Sequence, residues 1–263
     1  SPCGKFTGWG YAGMAHWLAA DEREIYAAVL PGRRGRGIGS FLLKHAETLA
    51  GHDSPRALFA HGKGYDHASI NWMRNRGYEV YKERTESVLD LGKLDPGKFA
   101  GVLERVRETG IEILTVWDEN VEPYLHGLYI VDRETSRDLP FRSEGTPDRT
   151  YESWSKEIKE CACSKVFAVA LREGEVVGFS DLWMPRMEGQ SAGISYTGVL
   201  KEHRGNGIAF AAKIAAAIEG KKAGAKMIRT QNDPDNPGIL HLNEKMGFQR
   251  VPGPVIFRKS MAG

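Results

Sequence analysis

"EHRGNGIAF", residues 202–210, sets Arg204 ahead of two glycines, Gly205 and Gly207, and then runs into small and apolar residues. A β-branched stretch precedes it and an alanine-rich one follows, so it reads as strand, glycine loop, helix. The first turn of a helix leaves about four backbone N–H groups unpaired, and the helix dipole favours an anion there. Gly205 and Gly207 let a ligand approach the backbone closely, with Asn206 and Ile208 completing the loop, and Ala209 keeps bulk away where the helix begins. Arg204 adds a forked cation suited to phosphate. The loop lacks the G-x-x-x-x-G-K-[ST] and G-x-G-x-x-G signatures, which argues against a P-loop and against a dinucleotide fold. A pyrophosphate remains the expected ligand.

The same loop occurs twice. "GRRGRGIGSF" at 32–41 carries Arg34, Gly35, Gly37 and Gly39, and Gly37 lies 170 residues before Gly207. The same offset relates Gly77-Tyr78 to Gly247-Phe248, "YAAVL" (26–30) to "YTGVL" (196–200), and "TGWGYAGM" (7–14) to "VGFSDLWM" (177–184). One offset matching separate stretches without a gap implies duplication. The fold class expected is α/β: two tandem domains, each a mixed central sheet flanked by helices.

The second copy reads as strand 111–116, helices 119–136 and 149–160, and a hairpin over 165–184 turned at Glu173-Gly174. There follow one long strand 191–200, the glycine loop and its helix, strand 225–232, helix 238–246 stopped by Gly247, and strand 254–259. Pairing Ser1 with Leu171 leaves the first copy without counterparts of the opening strand and both helices, so it is expected to be incomplete. The predicted layout is a domain over 1–92, a linker helix over 93–110 and a domain over 111–263. In the linker, Phe99, Val102, Leu103 and Val106 fall at helical spacing.

Composition sets limits. The chain has 263 residues and a net charge of +2 without a long basic block, which argues against a nucleic-acid partner. No apolar run approaches a membrane span. Three cysteines, two of them in Cys161-x-Cys163 without histidines at ligand spacing, argue against a structural disulfide and against a metal, and suggest a cytoplasmic setting.

Arg204-x-x-Gly207-x-Ala209 and Arg34-x-x-Gly37-x-Gly39 resemble the acetyl-coenzyme A loop of the GNAT superfamily of N-acetyltransferases. The "GVL" before the loop and the closing "LNEKMGF" fit the same pattern. The resemblance implies that coenzyme A lies where strands 191–200 and 225–232 splay apart, its pantetheine arm alongside Thr197–Val199. It also implies that the Val199 amide faces the thioester oxygen, and that Asn232 and Asn236 contact pantetheine. Turn formation in "NDPDNPG" is the alternative for both asparagines. Many relatives keep a glutamate in the strand before the loop, and this copy has none; Asp181 and Glu188 are the substitutes considered. Where relatives place a tyrosine that protonates the departing thiolate, this chain has Asn243, and Met73 in the first copy. Tyr196 would serve instead, with core packing the alternative for a strand tyrosine. The first copy also replaces Asn232 by Gly62 and Asn236 by Asp66, keeps Glu24 as its one candidate base, and either binds coenzyme A without catalysis or offers a partner surface.

The function expected is therefore acetyl transfer from acetyl-coenzyme A, as co-substrate, to a primary amine of a small molecule, through the second copy and without a metal. The alternatives are a non-catalytic acyl-coenzyme A module and a protein acetyltransferase. Trp117, Tyr124, Tyr129, Phe141 and Trp154 are candidates to line the acceptor side, with core packing the alternative for each.

Overall fold

The repeat found in the sequence recurs as a repeat of element boundaries. The computed structural model describes residues 6–140, 142–161, 163–185 and 191–261. In the first half the elements are β1 (Gly8–Gly13), β2 (Glu22–Val29), α1 (Ile38–Gly51), β3 (Ala57–Lys63), α2 (His67–Arg74) and β4 (Glu79–Asp90). Next come α3 (Ala100–Glu108), β5 (Ile111–Trp117), α4 (Leu125–Ser136), α5 (Tyr151–Glu160), β6 (Lys165–Arg172) and β7 (Glu175–Trp183). The chain closes with β8 (Ala192–Ile194), β9 (Thr197–Val199), α6 (Ile208–Lys222), β10 (Met227–Asn232), α7 (Pro237–Met246) and β11 (Gln249–Ser260). The starts of α1, β3, α2 and β4 precede those of α6, β10, α7 and β11 by the same 170 residues that separate Gly37 from Gly207.

The chain forms two compact units, and they do not follow the sequence halves. One comprises Ser1–Arg84, Phe141–Pro147 and Pro252–Gly263; the other comprises Thr85–Pro140 and Asp148–Val251. In the first unit β1 pairs antiparallel with β2, β2 parallel with β3, and β3 antiparallel with residues 254–260 of β11. In the second, residues 85–90 of β4 pair antiparallel with β10, and β10 parallel with β8. There β8 and β9 both pair antiparallel with β7, followed by β6 and β5. The last strand of each sequence half thus contributes to the unit founded on the other half. Strand pairing satisfies backbone groups wherever an edge is open, irrespective of sequence distance, so the predicted boundary near residue 92 has no counterpart in the strand ladder. The linker belongs wholly to the second unit. Phe99, Val102 and Leu103 pack on the cluster holding Leu89, Ile214 and Ile228, and Val106 on the one holding Val199 and Ile208.

Burial explains the second unit's layers. In β6, "KVFAVALR", seven successive residues are buried, as expected for a strand covered on both faces. Phe167 and Val169 join Leu125, Leu128 and Trp154 under α4 and α5. Val166 and Ala168 join Ala212, Ile214 and Ala216 of α6 on the opposite face. Small residues let α6 lie close: a Cβ on Gly220 would meet Leu182 Cδ2 at 2.4 Å. In the first unit, β1 carries Trp9 and Tyr11 exposed at the positions equivalent to the buried Phe179 and Asp181.

Local details refine the sequence expectations. Residues 119–136 begin as two 3-10 turns, at Asp118–Asn120 and Glu122–Tyr124, because Pro123 removes a backbone donor. Helix α5 starts after Thr150, whose Oγ1 caps it by accepting from Ser153 N at 3.2 Å, rather than at Pro147-Asp148. The expected single strand over 191–200 is broken at Ser195-Tyr196 into β8 and β9.

Candidate active site

The break in that strand has an identifiable cause. Asp181, buried on β7, accepts from Ser195 N at 3.1 Å, Tyr196 N at 2.6 Å and Ser195 Oγ at 2.5 Å. A carboxylate that takes two adjacent backbone amides draws the chain out of the ladder and leaves a bulge. Burial raises the Asp181 pKa despite these donors. As a candidate base, Asp181 is therefore placed differently from the expectation: its oxygens hold the bulge. Glu188, the other candidate base, and Phe141, a candidate lining residue, lie outside the described residues.

Beyond the bulge the register orients the backbone. Leu200 N donates to Val177 O at 2.9 Å and Asp181 N to Tyr196 O at 3.1 Å, with Val199 opposite Gly178. Antiparallel pairs alternate between bonded and non-bonded, so Thr197 and Val199 turn their N–H and C=O groups away from β7. On that far side β8 pairs with β10 only as far as Ile194 opposite Thr230. Residues 231–232 of β10 and all of β9 run on without pairing to each other, which opens a gap between them. The first copy repeats this: β2 pairs with β3 only over Glu22–Ile25, although both strands continue.

Below the gap the glycine loop closes onto α6. A 3-10 turn, Lys201–His203, leads to an extended Arg204, then Gly205 and Gly207 with φ of +83° and +76°. Only glycine adopts such values without strain, which is what fixes the pattern. No side chain caps the helix and no acidic residue occupies its first turn, so its leading amides take no side-chain partner from the cap. A Cβ on Gly205 would meet nothing within 4 Å, so the loop stands open. The first copy has the same course, Pro31–Arg33 and then Gly35 and Gly37 at +74° and +79°. There Gly39 lies under Trp72 and Val29.

Both loop arginines are engaged within the protein. Arg204 Nε donates to Val199 O at 2.9 Å and its Nη2 reaches Asp138 at 2.7 Å. The guanidinium thereby ties the loop to β9 and to the segment after α4. Arg34 makes a longer version, Nε to Val29 O at 3.4 Å and Nη1 to Asp66 at 3.8 Å. Asn206 Nδ2 donates to His203 O at 3.3 Å within the loop.

Among the asparagines, Asn236 caps α7 by accepting from Ile239 N at 3.3 Å, and Asp66 caps α2 in the same way through Ser69 N at 3.1 Å. Turn chemistry accounts for that pair, as the sequence alternative allowed. Asn232 is different. Its Oδ1 accepts from Nδ2 of the buried Asn243 at 2.8 Å, and Asn243 Oδ1 accepts from Lys213 Nζ at 2.6 Å. Lys213 is 1% exposed, its ammonium 5.4 Å from the centre of the Phe248 ring. Burial pulls its pKa down to about 7, with Asp181 acting in the opposite direction. Tyr196 lies on the other face, stacked on Phe179 and donating to Thr135 Oγ1 at 2.6 Å, which itself donates to Val131 O. The structure therefore does not bring Tyr196 to Asn243, and burial raises the tyrosine's pKa.

Two groups escaped the sequence analysis. Lys213 sits in an alanine-rich helix where a lysine reads as surface charge. Asp132 of α4 is partly buried, and burial raises its pKa to about 6 against the pull of Arg149. Its signal was an acid in the apolar stripe Leu125, Leu128, Thr135. Trp154 and Tyr129 prove to be core, at 2% and 9% exposure, Tyr129 Oη donating to Arg149 O at 2.8 Å. Trp117 Nε1 donates to Glu219 at 3.4 Å, and Tyr124 packs against the α4–α5 cluster. In the first copy, Glu24 pairs with His61 at 2.9 Å.

A family model described as "Acetyltransferase (GNAT) family" matches residues 4–78 and 125–248. No curated protein matches the chain in sequence. Among solved structures, a tandem GNAT protein from the clavulanic acid biosynthesis pathway superposes with a TM-score of 0.69 at 19% identity, covering 93% of this chain and 76% of that one. A GCN5-related N-acetyltransferase from Sphaerobacter thermophilus gives 0.65 at 18% identity, covering 99% and 78%. The C-terminal domain of a putative lysylphosphatidylglycerol synthetase from Agrobacterium fabrum gives 0.59 at 10% identity, covering 96% and 80%. These likenesses are likenesses of fold. Among the described residues no helix is long and apolar enough to cross a membrane.

Proposed function

The chain belongs to the acetyltransferase (GNAT) family, whose model covers parts of both sequence halves, and on that premise we propose that it transfers an acetyl group from acetyl-coenzyme A to a primary amine of a small molecule, through its second half. The observation that carries the proposal is the gap beside β9, with the Val199 N–H turned into it and the uncapped start of α6 below. The residues fit the coenzyme. The amides of 205–209 suit a pyrophosphate, Gly205 keeps the approach open, and Thr197 and the Val199 N–H offer an extended arm groups that β7 leaves unpaired.

Acetyl-coenzyme A supplies the activated thioester. The amine lone pair attacks the carbonyl carbon, the carbon–sulfur bond breaks, and the amine's proton balances the released thiol. The Val199 N–H would meet the oxygen on which negative charge builds, a contribution of about 2.7–4 kcal/mol where such donors have been removed. Arg204, held by Val199 O and Asp138, shapes the loop. Asp132 is the carboxyl we assign to accept the amine's proton: its helix α4 packs against β9, and its raised pKa keeps it a competent base near neutral pH.

A second reading, a non-catalytic acyl-coenzyme A module, is favoured by one observation: Asn243, a feeble acid, is buried against Lys213 at the tyrosine position. Gly207→Glu puts bulk and charge where phosphate belongs and should abolish coenzyme A binding by calorimetry. Unchanged affinity in a folded variant would sink the site. Thiol release that depends on an added amine separates the enzyme from the module.

A further inference from the structure

A lysine that is 1% exposed calls for an explanation, because burying an ammonium is costly unless something repays it. At the equivalent positions 170 residues earlier the first half has Leu43, Met73 and Gly62 in place of Lys213, Asn243 and Asn232. Leu43 and Met73 are buried, so an ordinary apolar pair serves the same packing without a charge. The polar chain belongs to the second half alone, and it ends at Asn232, beyond the last pairing of β10 with β8.

Hydrogen-bond polarity gives the chain a direction. A protonated lysine has donors and no acceptor, so only the amide oxygen of Asn243 can face it. The Asn243 nitrogen is then directed at Asn232 and must find an oxygen there. The observed contacts, Nζ to Oδ1 at 2.6 Å and Nδ2 to Oδ1 at 2.8 Å, have that sense. With its oxygen engaged, Asn232 is left with its amide nitrogen, a pure donor, at the mouth of the gap.

We propose that Lys213 is a positioning residue, which sets the amide orientation of Asn243 and through it of Asn232, so that Asn232 presents a donor to a carbonyl oxygen of the coenzyme's pantetheine arm. This rests on the function proposed above. Without the lysine both amides are free to turn, and Asn232 offers oxygen as readily as nitrogen.

The test is the coenzyme A dissociation constant, measured by calorimetry at pH 6, where the ammonium form prevails. Asn232→Ala should weaken binding about two- to tenfold, the worth of one hydrogen bond. Lys213→Met should weaken it about twofold, because only about half of the freed amides still present the donor. Asn243→Asp keeps Lys213 paired and the fold intact by thermal melting, yet a carboxylate only accepts, so Asn232 must turn its nitrogen inward and affinity should fall. In the Asn232→Ala background, Lys213→Met should bring no further loss. Wild-type affinity in Asn243→Asp or Lys213→Met, or a full additional loss in the double variant, would overturn the proposal. Unchanged affinity in Gly207→Glu would instead remove the coenzyme site, and the proposal with it.

Discussion

Replacing Lys213 by methionine should stabilise the protein at low pH and destabilise it at high pH. The ordinary lysine value is 10.5 and burial takes Lys213 to about 7. Between these values the unfolded chain binds more protons than the native one, so native stability rises with pH across that window. At about 1.4 kcal/mol per pH unit the buried charge costs about 4 kcal/mol at pH 7 and about 2 kcal/mol at pH 9. Methionine removes that cost but leaves Asn243 Oδ1 buried without its donor, at about 1–3 kcal/mol. The variant should therefore gain about 1–3 kcal/mol at pH 6–7, cross the wild type near pH 9, and fall below it at pH 10. Met73 and Leu43, buried in the first half, indicate that such side chains pack in this setting. Thermal melts of both proteins from pH 6 to 10 provide the assay, with an expected Tm difference of several degrees at the acid end. A variant less stable than wild type at pH 6, or two parallel stability curves, would refute the argument that Lys213 is buried at electrostatic cost.

The two halves should differ in activity. Arg204→Ala with Gly207→Glu should abolish amine-dependent thiol release, whereas Arg34→Ala with Gly37→Glu should leave most of it; the reverse result would move catalysis to the first half. Because Asp132 must be ionised to accept a proton, kcat/KM should rise with pH through about 6, and Asp132→Asn should flatten that rise; an unaltered profile would exclude it as the base. Asp181→Ala frees two adjacent amides of the bulge and should lower stability by about 2–4 kcal/mol and reduce turnover with it, as melts and thiol release would report; an unaffected variant would mean the bulge forms without its carboxylate.

Local chemistry made much of this protein legible from its residues alone. The glycines at 35, 37, 205 and 207 specify left-handed backbone whatever surrounds them, so the loop, its helix and the 170-residue repeat could all be read directly. The hairpin over 165–184 was legible with its Glu173-Gly174 turn, and the spacing of Val102, Leu103 and Val106 declared a packed helix, with Phe99 in the 3-10 turn before it. What the sequence left open depends on partners far along the chain. The bulge that turns Val199 toward the gap exists because Asp181, on a neighbouring strand, takes the amides of Ser195 and Tyr196. Lys213 and Asn243 meet across 30 residues, and only burial between α6 and α7 makes their polarity consequential. The placement of residues 252–263 and 85–90 in opposite units follows from strand pairing, which depends on open edges and not on order along the chain. A propensity belongs to a residue, but a pKa, a hydrogen-bond direction or a strand neighbour belongs to a place in the fold, and tertiary structure decided those.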